Sequence, residues 1–523
     1  MIPDLSIISE PRRAWLNGFV TGFLGIEPTL VSDEALAAAG LTTDTVIVPP
    51  QPSEEEFPWH QPELSLNQRI AMADGKPLNR KLMAAMAQLD CGSCGYDCKR
   101  YSEAIALGEE SDLSLCSPGG KETKQMIKSL LKENGGVKAA AKTTSKIVKP
   151  DGDSRQNPFP ATLLQSLRLN AKQSSKDTRD VRIDLRGSNL QYKVGDALGV
   201  WPTNCPQLVI EILRHLDGDH KQSVTMPSGE RKPIMLALAE DFCLKDPTDE
   251  LLEMLSQRTE NSEAKRRLAS LVSEGVEDGF DVLDALQVAP DVRLSGDELI
   301  ETLENIKPRL YSIASSMKAV GKAVHLTVGK VSYQRDDRIR KGVASTMFAE
   351  RLEPGQKVRV FVHPNRTGFT TPKDGSKPMI MIGPGTGIAP FVAFLQEREA
   401  TNATGKNWLF FGDQHQATDF LYEQQLEQWS ESGLLTRLST AFSRDGDEKV
   451  YVQNRMQEQT AELWQWINEG AFIFVCGDKS RMAADVDRAL VDICQAQGKT
   501  SPNEARKFVE KLGESKRYVR DVY

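Results

Sequence analysis

Beyond Lys377 the chain alternates short, wholly apolar runs (MIMIG, NWLFFG, FIFVCG) with segments of helical periodicity such as FVAFLQEREA and ADVDRALVDICQ. Strands apolar at every position are buried on both faces, and interleaved helices supply the covering layers, so residues 377–523 predict a doubly wound parallel α/β sheet. GPGTGIAP, Gly383 to Pro390, stands between the first of these strands and its helix. Glycines let backbone approach a pyrophosphate, and the free N–H groups of a helix start offer it positive charge. A glycine turn after a strand also occurs without any ligand, and this one departs from GxGxxG, so its weight comes from its place in the αβ repeat. Downstream, AFSRDGDEKVYVQ puts Ser443 and Arg444 just past a strand and Lys449 five residues later. A hydroxyl and two cations suit the 2′-phosphate of NADPH, whereas an acidic residue there would indicate NADH. The alternative for this segment is a solvated charged loop.

Residues 156–204 alternate apolar and polar positions between turn signals, the period of antiparallel strands, and the same pattern resumes over 305–376. Between them, 205–304 has helical periodicity (LVIEILRHL, LLEMLSQR, ELIETLENI), which predicts a β-barrel with a helical insertion. In RLYSIASS, alternation puts Arg309 and Tyr311 on one face and Ser312 on the other. Arg suits a diphosphate, Tyr an aromatic ring face and Ser a hydrogen bond. GVASTMFAERL offers a glycine turn at Gly342 and a helix start at Ser345, a second anion-binding terminus. Two dinucleotide-sized sites in one chain imply hydride transfer between two cofactors.

Four of the eight cysteines fall between positions 91 and 116. At 523 residues the chain should hold about three to four domains, and its opening residues lack a basic flank with an apolar core, so a reducing, cytoplasmic location is expected. Clustered thiolates in that setting point to a metal rather than to disulfides. Cys91, Cys94, Cys98 and Cys116 have the spacing C-x2-C-x3-C-x17-C, three thiols at a glycine-bearing turn and helix start and a fourth returning after a helix. Spacing alone leaves zinc and a [4Fe-4S] cluster both open. Residues 1–60 form a helical then extended region, 61–135 a four-cysteine helical domain, and 136–155 a small, basic linker. The stripe Trp15, Phe19 and Phe23 could pack on the next domain or dock on a partner or membrane.

With 65 basic and 73 acidic side chains the net charge is −8, which disfavours nucleic acid as a partner. The longest uncharged stretch, residues 378–395, is broken by Gly and Pro, so no membrane span is expected. The six histidines have no motif around a Ser or Cys, which sets a nucleophilic hydrolase aside.

RLYSIASS, TVG followed by Tyr333, GVAS, MIGPGTGIAPF, SRD with KVYVQ, CGD with RMAADV, and RYVRDVY, in this order over residues 156–523, resemble the ferredoxin-NADP reductase-like module of diflavin reductases, in particular the sulfite reductase flavoprotein family. The resemblance implies that Arg309, Leu310, Tyr311, Ser312, Thr327, Val328, Gly329, Tyr333, Gly342, Val343, Ala344 and Ser345 bind FAD. It implies that Tyr523 stacks on the flavin and moves aside for nicotinamide. Thr386, Ser443, Arg444, Lys449, Val450, Tyr451, Val452, Gln453 and Asp485 would bind NADPH, with Ser312, Cys476 and Asp521 around the hydride path. The insertion would be the connecting domain of that family.

Diflavin reductases carry an FMN-binding flavodoxin domain upstream, with a Ser/Thr-rich phosphate loop leaving a strand. The nearest candidate here, KTTSK at Lys142 to Lys146, lies in the basic linker with no strand before it, so no FMN is expected. In its place, residues 90–123 resemble the small iron-sulfur domain of electron-transport complex subunits and corrinoid iron-sulfur proteins, with one residue fewer in the second gap. NADPH delivers two electrons as hydride, FAD releases them singly, and a one-electron carrier must take them, which favours the cluster over zinc. The chain then reads as a multidomain enzyme: a small helical iron-sulfur domain, an FAD β-barrel with an α-helical insertion, and an α/β NADP-binding domain. Its expected partner is a sirohaem sulfite reductase hemoprotein. Alternatives are an assimilatory nitrate or nitrite reductase, ferredoxin, or a redox-sensing binding protein with a structural zinc.

Overall fold

The computed structural model describes residues 57–61, 64–88, 96, 98–108, 110, 113–133, 154–218, 222–479 and 481–523, and Trp59 to Tyr523 form one compact unit. The aromatic stripe at Trp15, the linker up to position 153, and Cys91 and Cys94 lie outside the described residues.

The antiparallel part is built on β1 (Phe159–Arg168), β2 (Thr178–Asp184), β3 (Ala197–Trp201), β6 (Arg309–Ser312), β7 (Ala323–Gly329) and β10 (Lys357–His363). Their order is β6-β3-β10-β1-β2-β7, and a bridge between Ile313 and Leu326 closes the two ends into a barrel. Alternate residues, among them Val181, Ile183, Leu198, Val200, Leu326 and Val328, point inward and form its core. The insertion between β3 and β6 carries a small ribbon, β4 (Ser223–Thr225) with β5 (Arg231–Pro233), and six helices. These are α5 (Pro206–Leu213), α6 (Ile234–Glu240), α7 (Asp249–Arg258), α8 (Ser262–Glu274), α9 (Val282–Val288) and α10 (Gly296–Thr302), numbered after the four helices of the cysteine segment described below. They enclose a core of their own, including Leu252, Leu283 and Leu299.

A hairpin, β8 (Ser332–Arg335) with β9 (Arg338–Lys341), leaves the barrel and is tied to the start of α9 by ions. Arg338 meets Asp281 at 2.6 Å and Arg340 meets Asp284 at 2.8 Å. Asp281 also caps α9, accepting from the Asp284 backbone N–H, so the hairpin is anchored to a helix terminus already committed to negative charge.

The second sheet is wholly parallel: β11 (Met379–Ile382), β12 (Asn407–Asp413), β13 (Arg437–Phe442), β14 (Phe472–Gly477) and β15 (Tyr518–Val522), in the order β13-β12-β11-β14-β15. β11 is buried at all four positions and feeds the glycine turn at once. The chain proceeds to β12 on one side of β11 and to β14 on the other, so the crevice at the carboxyl end of β11 is a topological switch point.

The cysteine segment comprises α1 (Leu66–Met72), α2 (Leu78–Ala85), α3 (Cys98–Ala106) and α4 (Gly120–Glu133). Trp59, Leu82, Met83, Tyr101, Ile105 and Ile127 are each buried in it. Among the described residues no helix is long and apolar enough to cross a membrane.

Candidate active site

At the seam between barrel and parallel sheet, the last residue of β6 meets the last strand of the sheet. Ser312 Oγ donates to Asp521 Oδ2 at 2.8 Å. Parallel register sets Asp521 beside Cys476, whose thiol is fully buried and faces the Ser312 hydroxyl. Burial pushes the Cys476 thiol well up, with Asp521 adding to the shift, so it sits there as neutral S–H. Burial also raises Asp521, and the Ser312 hydrogen bond works against that rise. Two residues on, the Tyr523 hydroxyl shares a 2.8 Å hydrogen bond with Thr386 Oγ1, while the residue stays 63% exposed. An aromatic ring held by its tip and otherwise open can be displaced without breaking the core.

The glycine turn fits under this group because Gly383 and Gly387 carry no side chains. A Cβ on Gly387 would fall 2.1 Å from the Cys476 carbonyl oxygen, and one on Gly383 2.5 Å from the Gly387 oxygen. Gly385 takes φ +57°, the left-handed region. From the barrel side, Gly329 abuts the Thr386 methyl, and Thr327 Oγ1 pairs with the Tyr422 hydroxyl at 2.7 Å. β6 is half-buried along its length, Tyr311 packing edge-on against Phe348 with centroids 6.3 Å apart and Arg309 donating to the Lys307 carbonyl at 2.8 Å. Ser345 is not the helix start expected from its sequence. Gly342 holds that place, and Ser345 Oγ turns back to accept from the Val331 N–H at 3.1 Å. Val343 and Leu310 are half-buried, Ala344 and Val328 are core, and Tyr333 is exposed on β8.

In the second sheet, Ser443 is fixed by its N–H to the Asp413 carbonyl at 2.9 Å, while Arg444 and Lys449 project into solvent. Tyr451 is 45% exposed at the cap of the helix Val452–Glu458. Gln453 reaches Asp485 at 3.4 Å. Val452 is buried and Val450 packs against the same core, so these two positions have only backbone to offer a ligand.

Family models add the decisive comparison. One described as FAD binding domain matches residues 151–347, and one described as oxidoreductase NAD-binding domain matches 381–488. The chain is 43% identical over 429 residues to the sulfite reductase [NADPH] flavoprotein alpha-component of Bacillus subtilis, covering 81% of this chain and 70% of that one. The chain belongs to the sulfite reductase flavoprotein family. As such it is an NADPH-dependent oxidoreductase with FAD- and NAD-binding domains. Relatives from Mannheimia succiniciproducens and Neisseria meningitidis are 44% and 45% identical, and the chain spans 62% of the length of each.

Among the described residues no group of three or more His, Cys, Asp or Glu is placed to hold a metal. Two of the four thiols, Cys98 and Cys116, are among the described residues. Cys98 opens α3 and is buried, Cys116 precedes the turn Ser117–Gly119, and both lie near enough to act on the buried Arg69 guanidinium, which burial pushes down and the two thiols push up. A Cβ on Gly119 would lie 3.1 Å from Cys116 Sγ, so the PGG turn folds directly beneath that thiol.

Sequence reasoning missed Asp413 and Lys176. Asp413 ends β12 at the switch point, its Oδ1 ion-paired with Lys176 from the β1–β2 loop and its buried Oδ2 unpartnered. The Asp following an apolar strand was the available signal. Lys176 sits in a turn without any pattern.

Proposed function

We propose that the chain takes hydride from NADPH at the Ser312–Cys476–Asp521 seam and passes the electrons, through FAD and a [4Fe-4S] centre on Cys91, Cys94, Cys98 and Cys116, to a sirohaem sulfite reductase hemoprotein. The observation that carries the reading is the 2.8 Å hydrogen bond joining barrel to parallel sheet at one buried thiol. It supports a path in which two cofactors meet where two domains meet. FAD, when bound, supplies the conversion of a hydride pair into single electrons.

The chain's own residues have separate tasks. Arg309, Tyr311 and the Gly342–Ser345 turn hold the flavin dinucleotide with Leu310, Thr327, Val328, Gly329 and Tyr333, and Tyr523 covers its reactive ring until nicotinamide arrives. Ser443, Arg444, Lys449 and Tyr451 select the 2′-phosphate, with Thr386, Gln453 and Asp485 positioning the rest of NADPH. Ser312 presents its hydroxyl where the hydride lands, and Asp521 fixes that hydroxyl's direction.

The purified protein should contain FAD, no FMN, iron and acid-labile sulfide, and should reduce the hemoprotein with NADPH. Zinc without iron would overturn the cluster. Ser312→Ala should slow flavin reduction by NADPH about 10²-fold with little change in NADPH affinity. An unchanged rate would remove the seam from the chemistry.

A further inference from the structure

The loop that carries Ser443 and Arg444 is tethered by more than its own strand. Just past β13, the N–H groups of Ser443 and Arg444 donate to the carbonyls of Asp413 and Gln414, each at 2.9 Å, so the exposed arginine stands on a turn pinned to the end of β12. The next residue, Asp445, reaches across the same gap. Its Oδ2 accepts from the Gln416 N–H at 2.8 Å, and its Oδ1 lies 2.9 Å from His415 Nδ1. The Gln416 N–H, and after it the His415 ring, hold the Asp445 carboxyl below the usual carboxylate range, so it stays ionised and the Nδ1–H is the donor. His415 is fixed from behind in turn. Its N–H donates to Asp419 Oδ2 at 3.2 Å, and its carbonyl accepts from the Asp419 N–H at 2.8 Å. Asp419 is only 1% exposed and is held by the barrel: Asn170 Nδ2 donates to its Oδ1 at 2.9 Å, and Ser174 Oγ to the same oxygen.

A run of paired polar groups thus leads from the β1–β2 loop through Asp419 and His415 to Asp445, one residue from Arg444. A free carboxylate at that position would compete for the guanidinium and repel a phosphate dianion. Both Asp445 oxygens are instead committed to residues 415 and 416, and what the side chain contributes is geometry. Arginine–phosphate pairing is directional, and a displacement of about 1 Å is enough to spoil it. We infer that Asp445 and His415 are positioning residues that set the pose of Arg444 for a 2′-phosphate, and with it the preference of the chain for a phosphorylated dinucleotide. The inference rests on the assignment of Ser443 and Arg444 to that phosphate, proposed above.

The test uses the full-length protein and two probes, adenosine 2′,5′-bisphosphate and adenosine 5′-monophosphate, which differ by the 2′-phosphate alone, with binding read by calorimetry. Asp445→Ala should weaken the bisphosphate roughly tenfold or more and leave the monophosphate unchanged. Asp445→Asn keeps an acceptor for the Gln416 N–H and a partner for the ring, and should recover most of that loss. His415→Ala, which frees the carboxylate beside Arg444, should weaken the bisphosphate as well, the more so at low ionic strength, and serves where the first variant folds poorly. In flavin bleaching the same variants should raise KM for NADPH with the saturated rate unchanged, and leave the NADH-driven reaction as it is. Unchanged or tighter binding of the bisphosphate in Asp445→Ala overturns the inference, because a carboxylate that only repels phosphate gives tighter binding when removed. Equal weakening of both probes, or an Asn variant no better than the Ala one, overturns it too. Arg444→Ala tests the underlying assignment separately: wild-type bisphosphate affinity in that variant removes Arg444 from the phosphate site and this inference with it.

Discussion

Ser312 and Asp521 are 209 residues apart in sequence and share one proton-bearing contact, so the pH behaviour of the seam is set by a carboxyl that burial has raised. As pH falls, Asp521 protonates earlier than an exposed aspartate and stops accepting from Ser312. Hydride transfer should therefore show an acid limb that Asp521→Asn removes, read from the pH profile of NADPH-driven flavin bleaching. His325 on β7 gives a stability limb of its own. Burial lowers it from 6.5 to about 4, with Asp180 opposing and Arg182 assisting, so the unfolded chain takes up a proton that the folded chain refuses. Stability should decline as pH drops from 6.5 towards 4 and then level off, and the thermal midpoint of His325→Gln should be flatter over that window. Arg444→Ala should raise KM for NADPH roughly tenfold or more while barely moving KM for NADH. Ser443 and Arg444 stand out as candidates in the sequence because hydroxyl and cation after a strand have a chemical meaning. Lys176 had none, since its partner Asp413 lies in another domain and no local period records that.

Elements fix what single residues cannot. The wholly parallel sheet was legible from runs of apolar residues, and the barrel from alternation, because burial on two faces or one leaves different periods. The hairpin β8–β9 was not legible: nothing in RDDRIRK marks a partner, and only Glu277, Asp281 and Asp284, in the loop before α9 and its first turn, turn three arginines into a clamp. Arg340 and Asp284 are nearly buried there, and removing Asp284 takes a close carboxylate from both Arg340 and Arg338, leaving Asp281 to face the two. Asp284→Ala should cost about 3 kcal/mol in denaturant unfolding and loosen FAD, which Tyr333 on the same hairpin is proposed to hold. The glycine turn is equally intolerant. Gly387→Ala has to displace the Cys476 carbonyl, so about 1–3 kcal/mol of stability should be lost together with NADPH affinity.

On the scale of the molecule, barrel and parallel sheet are locked by buried polar contacts as well as by the seam. Asn170 donates to Asp419 at 2.9 Å and the Ser316 N–H to Gln396 at 3.0 Å, while an exposed Lys318 pairs with Glu397 at 2.6 Å at the rim. The cysteine segment is joined to the rest by Lys124, Lys128, Glu250, Glu304 and Lys307 at or near the surface. Cys98→Ser should accordingly remove iron and electron delivery to the hemoprotein, yet leave NADPH-driven ferricyanide reduction by the flavin intact; parallel loss of both would contradict the route. The barrel and the parallel sheet were legible because each has its own hydrophobic period, while the way they adhere was not, since single polar and charged side chains leave no trace in a pattern. The two kinds of joint have different evolutionary futures. A segment whose described ion pairs to its neighbours lie at or near the surface can be exchanged for another of unrelated ancestry by altering a handful of codons. Two domains that each own half of a buried hydrogen bond can only be inherited together.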